Sequence, residues 1–291
     1  MMIRGLFLAG ALVPALALAA TPIDERRDLA PGGTVTVINV SGEIDVSAWD
    51  RPEVHVTGSL GDDSKLNISD SGRGLRIEVE IEDSSGWGGA GDTELRLRVP
   101  ADASLSVSGV SSDVRIAGAG GESVFAESVS GDVDVRADCE RLELKTVSGD
   151  IEFSGSAART SAEAVSGDVR LAGVEDDLEV SLVSGDLDLD AGVLRRGRFE
   201  SVSGTLEMRL ALADDGHVSV ESMSGDVRLD LPPDQAGEFR AQTFSGDIRS
   251  DFGKAQRADR GPGVSLEHVA GSGGASLRVE SFSGDIQLKR R

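Results

Sequence analysis

The feature that most constrains this chain is a tripeptide, Ser-Gly-Asp, that returns at a nearly fixed spacing. It stands at Ser130-Gly131-Asp132, Ser148-Gly149-Asp150, Ser166-Gly167-Asp168, Ser184-Gly185-Asp186, Ser224-Gly225-Asp226, Ser245-Gly246-Asp247 and Ser283-Gly284-Asp285. Ser203-Gly204-Thr205 fills the gap after Ser184, so the steps from Ser130 are 18, 18, 18, 19, 21 and 21 residues, then 38 across an insertion. Val110-Ser111-Ser112-Asp113-Val114 is a degenerate copy 19 residues upstream of Ser130, and Val40-Ser41-Gly42-Glu43-Ile44 is an isolated early one. Self-similarity at a period of about 20 residues marks a stacked-repeat architecture. A unit that short cannot bury its own apolar face, so neighbours must cover it.

Counted from each Ser as zero, position +3 is Val133, Ile151, Val169, Leu187, Leu206, Val227, Ile248 and Ile286. Position +5 is also apolar, from Val135 and Phe153 to Leu288, with Ser250 the exception. Before the Ser, positions −6 and −4 are largely apolar, as in Leu142 and Leu144, and −2 is usually small, as in Ser128, Thr146 and Ala164. Position −1 is Val129, Val147, Val165, Val183, Val202, Met223, Phe244 and Phe282. Apolar and polar residues alternate on either side of the tripeptide, which is strand periodicity. Assigning both −2 and −1 to the interior makes the inward parity change between them. A flat strand forbids this, so a bend is placed near Ser-Gly, where Gly permits positive φ or close backbone approach. A second bend closes each coil in the polar stretch between copies. The predicted fold is all-β: a single-stranded parallel β-helix, or β-solenoid, of 18–21-residue coils, stacked at ~4.8 Å.

Stacking turns each repeated residue into a column. The Asp residues at +2 become a ladder of like charges, each neighbouring pair destabilising by a few tenths to ~1 kcal/mol unless offset. Corner carboxylates accept backbone N–H or hydroxyl bonds, and Arg170, Arg228 and Arg249 at +4 interrupt the acids. These two offsets are favoured over Ca²⁺, which takes six to eight oxygens where a single Asp row supplies few. The expected role of every Ser-Gly-Asp is therefore structural, with no metal and no cofactor.

The remaining segments bound the chain's surroundings. Arg4 followed by apolar Leu6–Ala19, with small residues at Ala17 and Ala19, reads as a signal peptide over residues 1–20 that is cleaved, leaving no membrane span. Residues 21–98 read as an N-terminal β region covering one end of the solenoid, and residues 99–291 as the repeats, with a loop insertion at 253–274. That insertion carries a basic cluster, Lys254, Arg257 and Arg260, usually a solvated loop. Lys289-Arg290-Arg291 are expected to guard a terminal edge. In the Gly-rich stretch 82–93, Trp87 is the one candidate for an aromatic partner contact. The single cysteine, Cys139, allows no internal disulfide and reads as a small corner residue, since neighbouring Glu140 has the wrong sign to activate a thiol. The net charge of −22 opposes nucleic acid and adsorption to anionic lipid. Only 3% of residues are aromatic, so an aromatic-lined cleft is not expected.

No catalytic constellation appears. His55, His217 and His268 lie in different regions, no zinc or phosphate-loop motif is present, and a tripeptide repeated in register is architecture rather than an active site. The signal segment, Val37-Ile38-Asn39-Val40-Ser41-Gly42-Glu43-Ile44-Asp45-Val46, the entry Val99-Pro100 and the Ser-Gly-Asp copies together resemble the bacterial putative-adhesin family of β-strand-repeat proteins, a domain of unknown function. The resemblance runs from Thr34 to Leu288 and implies a β-solenoid without known catalytic residues. The expected role is a non-catalytic, adhesin-like binding or scaffolding protein of the cell envelope, periplasmic, secreted or surface-associated. Its partner would be an envelope protein or glycan, and its oligomeric state is open. The alternatives are a polysaccharide-acting β-helix enzyme, which needs a clustered acid–base site, and a self-assembling envelope filament.

Overall fold

A computed structural model describes residues 21–81, 91–257 and 262–291. The expected signal peptide and Trp87 lie outside the described residues. The described chain is strand and turn with no helix among those residues, as the repeat predicts. Each mid-chain coil is one long, bent strand: Val133–Ser148, Ile151–Ser166, Val169–Ser184, Leu187–Ser203 and Leu206–Ser224. Each starts at +3 of one tripeptide, turns at a second bend and ends on the Ser of the next. Successive coils pair in parallel and in register, Ser130 against Ser148, Ser148 against Ser166, Ser166 against Ser184, and on through Ser203 to Ser224.

The core is the set of columns that face inward. Val133, Ile151, Val169, Leu187 and Leu206 at +3 are buried, as are the +5, −6, −4 and −2 positions. Phe153, Phe199 and Phe239 are the largest side chains sealed inside. Variation in coil length is absorbed at the second bend. Between the Leu187–Ser203 and Leu206–Ser224 strands, register is kept up to Asp190 against Arg209, shifts at Val193 against Ala211 and again after Leu194 against Leu212, and resumes at Arg196 against His217. The extra residues thus bulge out where they disturb no core column.

One part of the sequence reading is corrected. Val129, Val147, Val165, Val183, Val202, Met223, Phe244 and Phe282 at −1 do not face inward; they are exposed. The strand parity holds through −2, which is buried, and resumes at +3. The parity change is spread over a four-residue corner, −1 to +2, whose side chains all avoid the core. Two adjacent inward positions, −2 and −1, are incompatible with a pleated strand, and the bend begins one residue too late to rescue them.

Both ends of the stack depart from simple repetition. At the N-terminal end, strand Thr34–Trp49 carries the early copy, and Ser41 pairs in register with Ser111. On its other edge lie Gly74–Ile81 and Thr93–Pro100, both parallel to it. Antiparallel strands then close this end: Ser64–Asp70 on Gly74–Ile81, Glu53–Leu60 on Thr93–Pro100, and Thr21–Asp28 on Glu53–Leu60. At the other end the stacking order differs from the chain order. Ser276–Ser283 lies between the Leu206–Ser224 strand and Gly237–Ser245, and Ile286–Arg290 between Val227–Leu231 and Ile248–Ser250. The Ser245 coil is therefore outermost, and the insertion returns along it as the antiparallel strand Val264–Ala270. Lys289-Arg290-Arg291 consequently do not guard the free edge. The Arg290 N–H donates to Asp251 Oδ2 (3.1 Å) and the Arg291 N–H to the Leu231 carbonyl (2.9 Å). Of the insertion's basic cluster, Arg257 is paired with Asp247 (2.9 Å), and Arg260 lies outside the described residues.

The inward columns should carry the stability. Ile151 and Leu187 are 0% and 1% exposed, so truncating either to Ala should cost ~2–5 kcal/mol in urea melts. Glu152→Ala or Asp188→Ala, on the solvent side of the same strands, should cost well under ~1 kcal/mol. Equal costs for the two classes would refute this division of faces.

Candidate functional site

The Ser-Gly-Asp corner explains its own sequence. Gly149 has a φ of 151°, and a Cβ there would lie 2.2 Å from the Gly131 carbonyl oxygen of the coil before it. At Gly167 the same distance to Gly149 is 2.0 Å, and at Gly185 to Gly167 it is 1.9 Å. No side chain fits, because the corners stack backbone on backbone. This approach lets the Gly149 N–H reach the Ser166 carbonyl (3.1 Å) and the Ile151 N–H reach the Asp168 carbonyl (2.9 Å). The small −2 side chains fit beneath the corner, where Ser128 Oγ donates to the Ser112 carbonyl (2.8 Å) and Thr243 Oγ1 to the Gly284 carbonyl (3.0 Å).

The Asp at +2 bonds along the stack. The Asp150 N–H donates to Asp132 Oδ1 (2.9 Å), the Asp168 N–H to Asp150 Oδ1 (2.9 Å) and the Asp186 N–H to Asp168 Oδ1 (3.0 Å). Thr205 donates its N–H to Asp186 (2.7 Å) but brings no carboxylate for the next coil. Beyond it, Asp285 donates to Asp226 (3.0 Å) and Asp247 to Asp285 (2.9 Å), following the stack and not the chain. Arginines at +4 bridge the second oxygens: Arg170 reaches Asp168 (3.3 Å) and Asp150 (3.8 Å), and Arg228 reaches Asp226 (3.2 Å) and Glu207 (2.6 Å). The Ser residues at zero are exposed at the turn.

These corners carry a second column. Val110, Val129, Val147, Val165, Val183, Val202, Met223, Phe282 and Phe244, in stacking order, are between 45% and 57% exposed. At ~4.8 Å per coil this is a continuous apolar strip about 38 Å long, ending in Phe244 and Phe282 stacked at 5.0 Å and 7°. Single apolar residues on a surface are ordinary; a contiguous row of this length is not. A shallow groove runs between this row and the outward residues at −3, among them Glu127, Glu163, Glu200, Glu221 and Glu280, with Lys145 the one base. Lys145 pairs with Glu143 (2.8 Å) and Glu163 (3.3 Å), and the Glu143 carboxylate holds its ammonium above the usual lysine range. The sequence reading took the −1 row for core because its residues are apolar. The signal that identifies it as surface is the neighbouring −2 row, whose Ser, Thr and Ala already fill the space under the corner.

At the opposite bend, side chains form ion pairs between coils. Arg141 meets Glu122, Arg159 meets Glu140, and Arg196 meets Asp177 through Nε (2.8 Å). The Arg196 hydrogen bond holds the Asp177 carboxyl below the usual range. Its contribution to stability is thus present above the unfolded Asp pKa and fades as pH falls through the lower folded value; being exposed, it is small. Cys139, at this bend, is partly buried against the core. Burial and the charge of Asp138 push its thiol up to about 11, so it is protonated and unreactive near neutrality. His55 bonds Asp24 (2.7 Å) and His217 Nδ1 bonds the Ser276 hydroxyl (2.8 Å). Among the described residues no group of three or more His, Cys, Asp or Glu is placed to hold a metal ion.

The family model described as Toastrack DUF4097 matches residues 34–289. A search among curated proteins finds no match. Among solved structures, one titled "putative adhesin", from Parabacteroides distasonis ATCC 8503, is 10% identical with a TM-score of 0.54, covering 92% of this chain and 97% of the other. A second protein from the same organism, titled "putative lipid binding protein", is 14% identical with a TM-score of 0.52 and covers the chains by 92% and 97%. At these identities the likeness is one of fold.

The corner makes a joint prediction. Asp168→Ala removes the acceptor for the Asp186 N–H and should lower stability by about 1 kcal/mol. Gly167→Ala, which puts a Cβ against the Gly149 carbonyl, should cost more, ~1–3 kcal/mol or beyond. Thermal melts in excess EDTA and in millimolar Ca²⁺ at matched ionic strength should agree. A large Ca²⁺-specific gain, lost in the double variant Asp168→Asn with Asp186→Asn, would instead make these carboxylates metal ligands.

Proposed function

For a chain that belongs to the Toastrack family, DUF4097, we propose a non-catalytic role as an exported β-solenoid of the bacterial cell envelope, binding or scaffolding a partner along one edge of the stack. The observation that carries this reading is the half-exposed −1 column from Val110 to Phe244. A repeat protein can dispose of an apolar side chain by turning it inward, and this one does so at positions −6, −4, +3 and +5 of most coils. Leaving a row nine coils long outside gains nothing for folding and makes sense as a contact surface. The rigid corners suit that use, because a preorganised surface loses little entropy on binding.

The supporting facts are of different kinds. Solved structures of the same fold include one named as an adhesin and one named as lipid-binding, both binding roles. The apolar segment at residues 6–19 supports export. The scarcity of aromatic residues disfavours a stacked sugar and favours a protein partner over a glycan. The antiparallel strands at both ends of the stack oppose end-to-end filament growth, since they occupy the edges that would have to join.

The test is site-specific photo-cross-linking in the native host. A photoreactive side chain at Val165 should yield a defined adduct in the envelope fraction, while one at Asp188, on the solvent side of the strand beyond the corner, should not. Equal adducts at the two sites, or none at Val165, would refute a binding role for this column. Recovery of the protein from the cytosol alone would refute export.

A further inference from the structure

The apolar column does not stand alone: each coil places it between two acidic rows. Two residues before each −1 position the −3 row presents Glu127, Glu163, Glu200, Glu221 and Glu280, with Lys145 the one base in the row; Glu163, Glu200 and Glu280 pair with Lys145, Arg198 and Arg278. Three residues after it, past the corner, comes the Asp ladder, whose Oδ1 atoms are taken by backbone N–H groups of the next coil and whose Oδ2 atoms meet Arg170 at Asp150 and Asp168, Arg228 at Asp226 and Arg249 at Asp285; the seven Asp of the repeat still outnumber these three arginines. From that pattern, and resting on the reading of the column as a binding surface, we propose that its occupant is a cationic amphipathic helix of a partner protein, lying along the stacking axis.

Charge decides against the other occupants. A second copy would bring the same acidic rows and the same net charge of −22, so like would face like. An anionic lipid or fatty acid would set its head group among carboxylates. A cationic partner gains where those lose. Its shape follows from where its charges must sit. The surface requires apolar side chains at the centre and cations on both flanks. A strand sends alternate side chains to opposite faces, so its cations would point away when its apolar residues point in. A helix carries an apolar stripe with Lys or Arg along both borders.

The spacing also fits. A helical turn advances ~5.4 Å and a coil ~4.8 Å, so apolar side chains one turn apart seat over successive coils. The mismatch of ~0.6 Å per turn reaches half a coil after about four turns. One straight helix is therefore held in register for about 15 to 18 residues, and the ~38 Å column is long enough to take it wholly.

The probe is a synthetic helix of about 18 residues with Leu at i, i+3, i+4 and i+7 and Lys on both borders of that stripe. Its binding to the purified protein is followed by fluorescence anisotropy. Three comparisons accompany it: a scrambled peptide of the same composition, a peptide with Glu in place of Lys, and phosphatidylcholine vesicles. Sedimentation of the protein alone reports self-association. The stripe-ordered cationic helix should bind at least about tenfold more tightly than either control peptide, and binding should weaken as salt rises from ~0.05 M to ~0.5 M. Affinity should fall about tenfold in the exposed-site variant Val147→Ser, Val165→Ser, Val183→Ser. A similar fall is expected in Glu163→Gln, Glu200→Gln, Glu221→Gln, while circular dichroism shows both variants folded. Equal binding of the scrambled or anionic peptide, insensitivity to either triple variant, vesicle binding, or a dimer that the valine variant dissolves would each overturn the proposal. An adduct at Val165 with something other than a cationic helix would overturn it too, yet leave the column a binding surface. Absence of any adduct there would remove that underlying reading.

Discussion

The whole solenoid depends on the approach of one glycine corner to the next. With carbonyl oxygens sitting where a Cβ would be, at 1.9–2.2 Å for Gly149, Gly167 and Gly185, the corner sets how near the coils come and in what register. The flanking strands inherit that register, so the mainly Val, Ile and Leu columns meet like with like, with Phe153, Phe199 and Phe239 filling the interior. The Asp carboxylate then fixes the corner along the axis by accepting the next coil's N–H. An acidic ladder that would repel itself in open solvent becomes part of the backbone's hydrogen bonding, and bridging arginines such as Arg170 offset part of the charge that remains. Each of those exposed pairs contributes only ~0–1 kcal/mol; the backbone bonds to Oδ1 set the geometry.

Much of this was legible in the sequence because the physics repeats. Strand periodicity on either side of Ser-Gly-Asp gave the +3, +5, −4 and −6 columns directly, and the Asp had a local use at any corner. The −1 row was misassigned because apolar character was read as burial. What decided otherwise was the number of residues in the turn: four pass from −1 to +2 before the strand resumes. Composition does not encode that number, but the small −2 row does so indirectly, since a corner with Ser128 or Thr146 tucked under it has no room for a second inward side chain.

The order of the last two coils was not legible at all. The Ser245 and Ser283 copies are nearly interchangeable: each has Phe at −1 and Ile at +3, and either satisfies the columns of the Ser224 coil beneath. Local pattern specifies membership of the stack, not position in it. Position is set by the insertion, whose strand Val264–Ala270 runs antiparallel beside Gly237–Ser245 and so occupies the outer edge. The chain has then only the inner edge of that coil to pair with, and Ser276–Arg290 enters between.

That intercalation has a bearing on how the molecule is made. A solenoid whose coils follow the chain can grow by accretion, each new coil settling on a finished surface as it emerges. Here accretion works only as far as the Ser224 coil. The Ser245 coil emerges before its proper neighbour exists, and the surface it meets first is one that accepts it in the same 21-residue register. The outer coil must therefore be held off, or seated and later displaced, until residues 276–290 arrive to slide beneath it. The rod is assembled from one end but locked at the other by a strand made after the coil it lies beneath, so a chain cut short before that strand would still form coils while lacking the clasp that orders them.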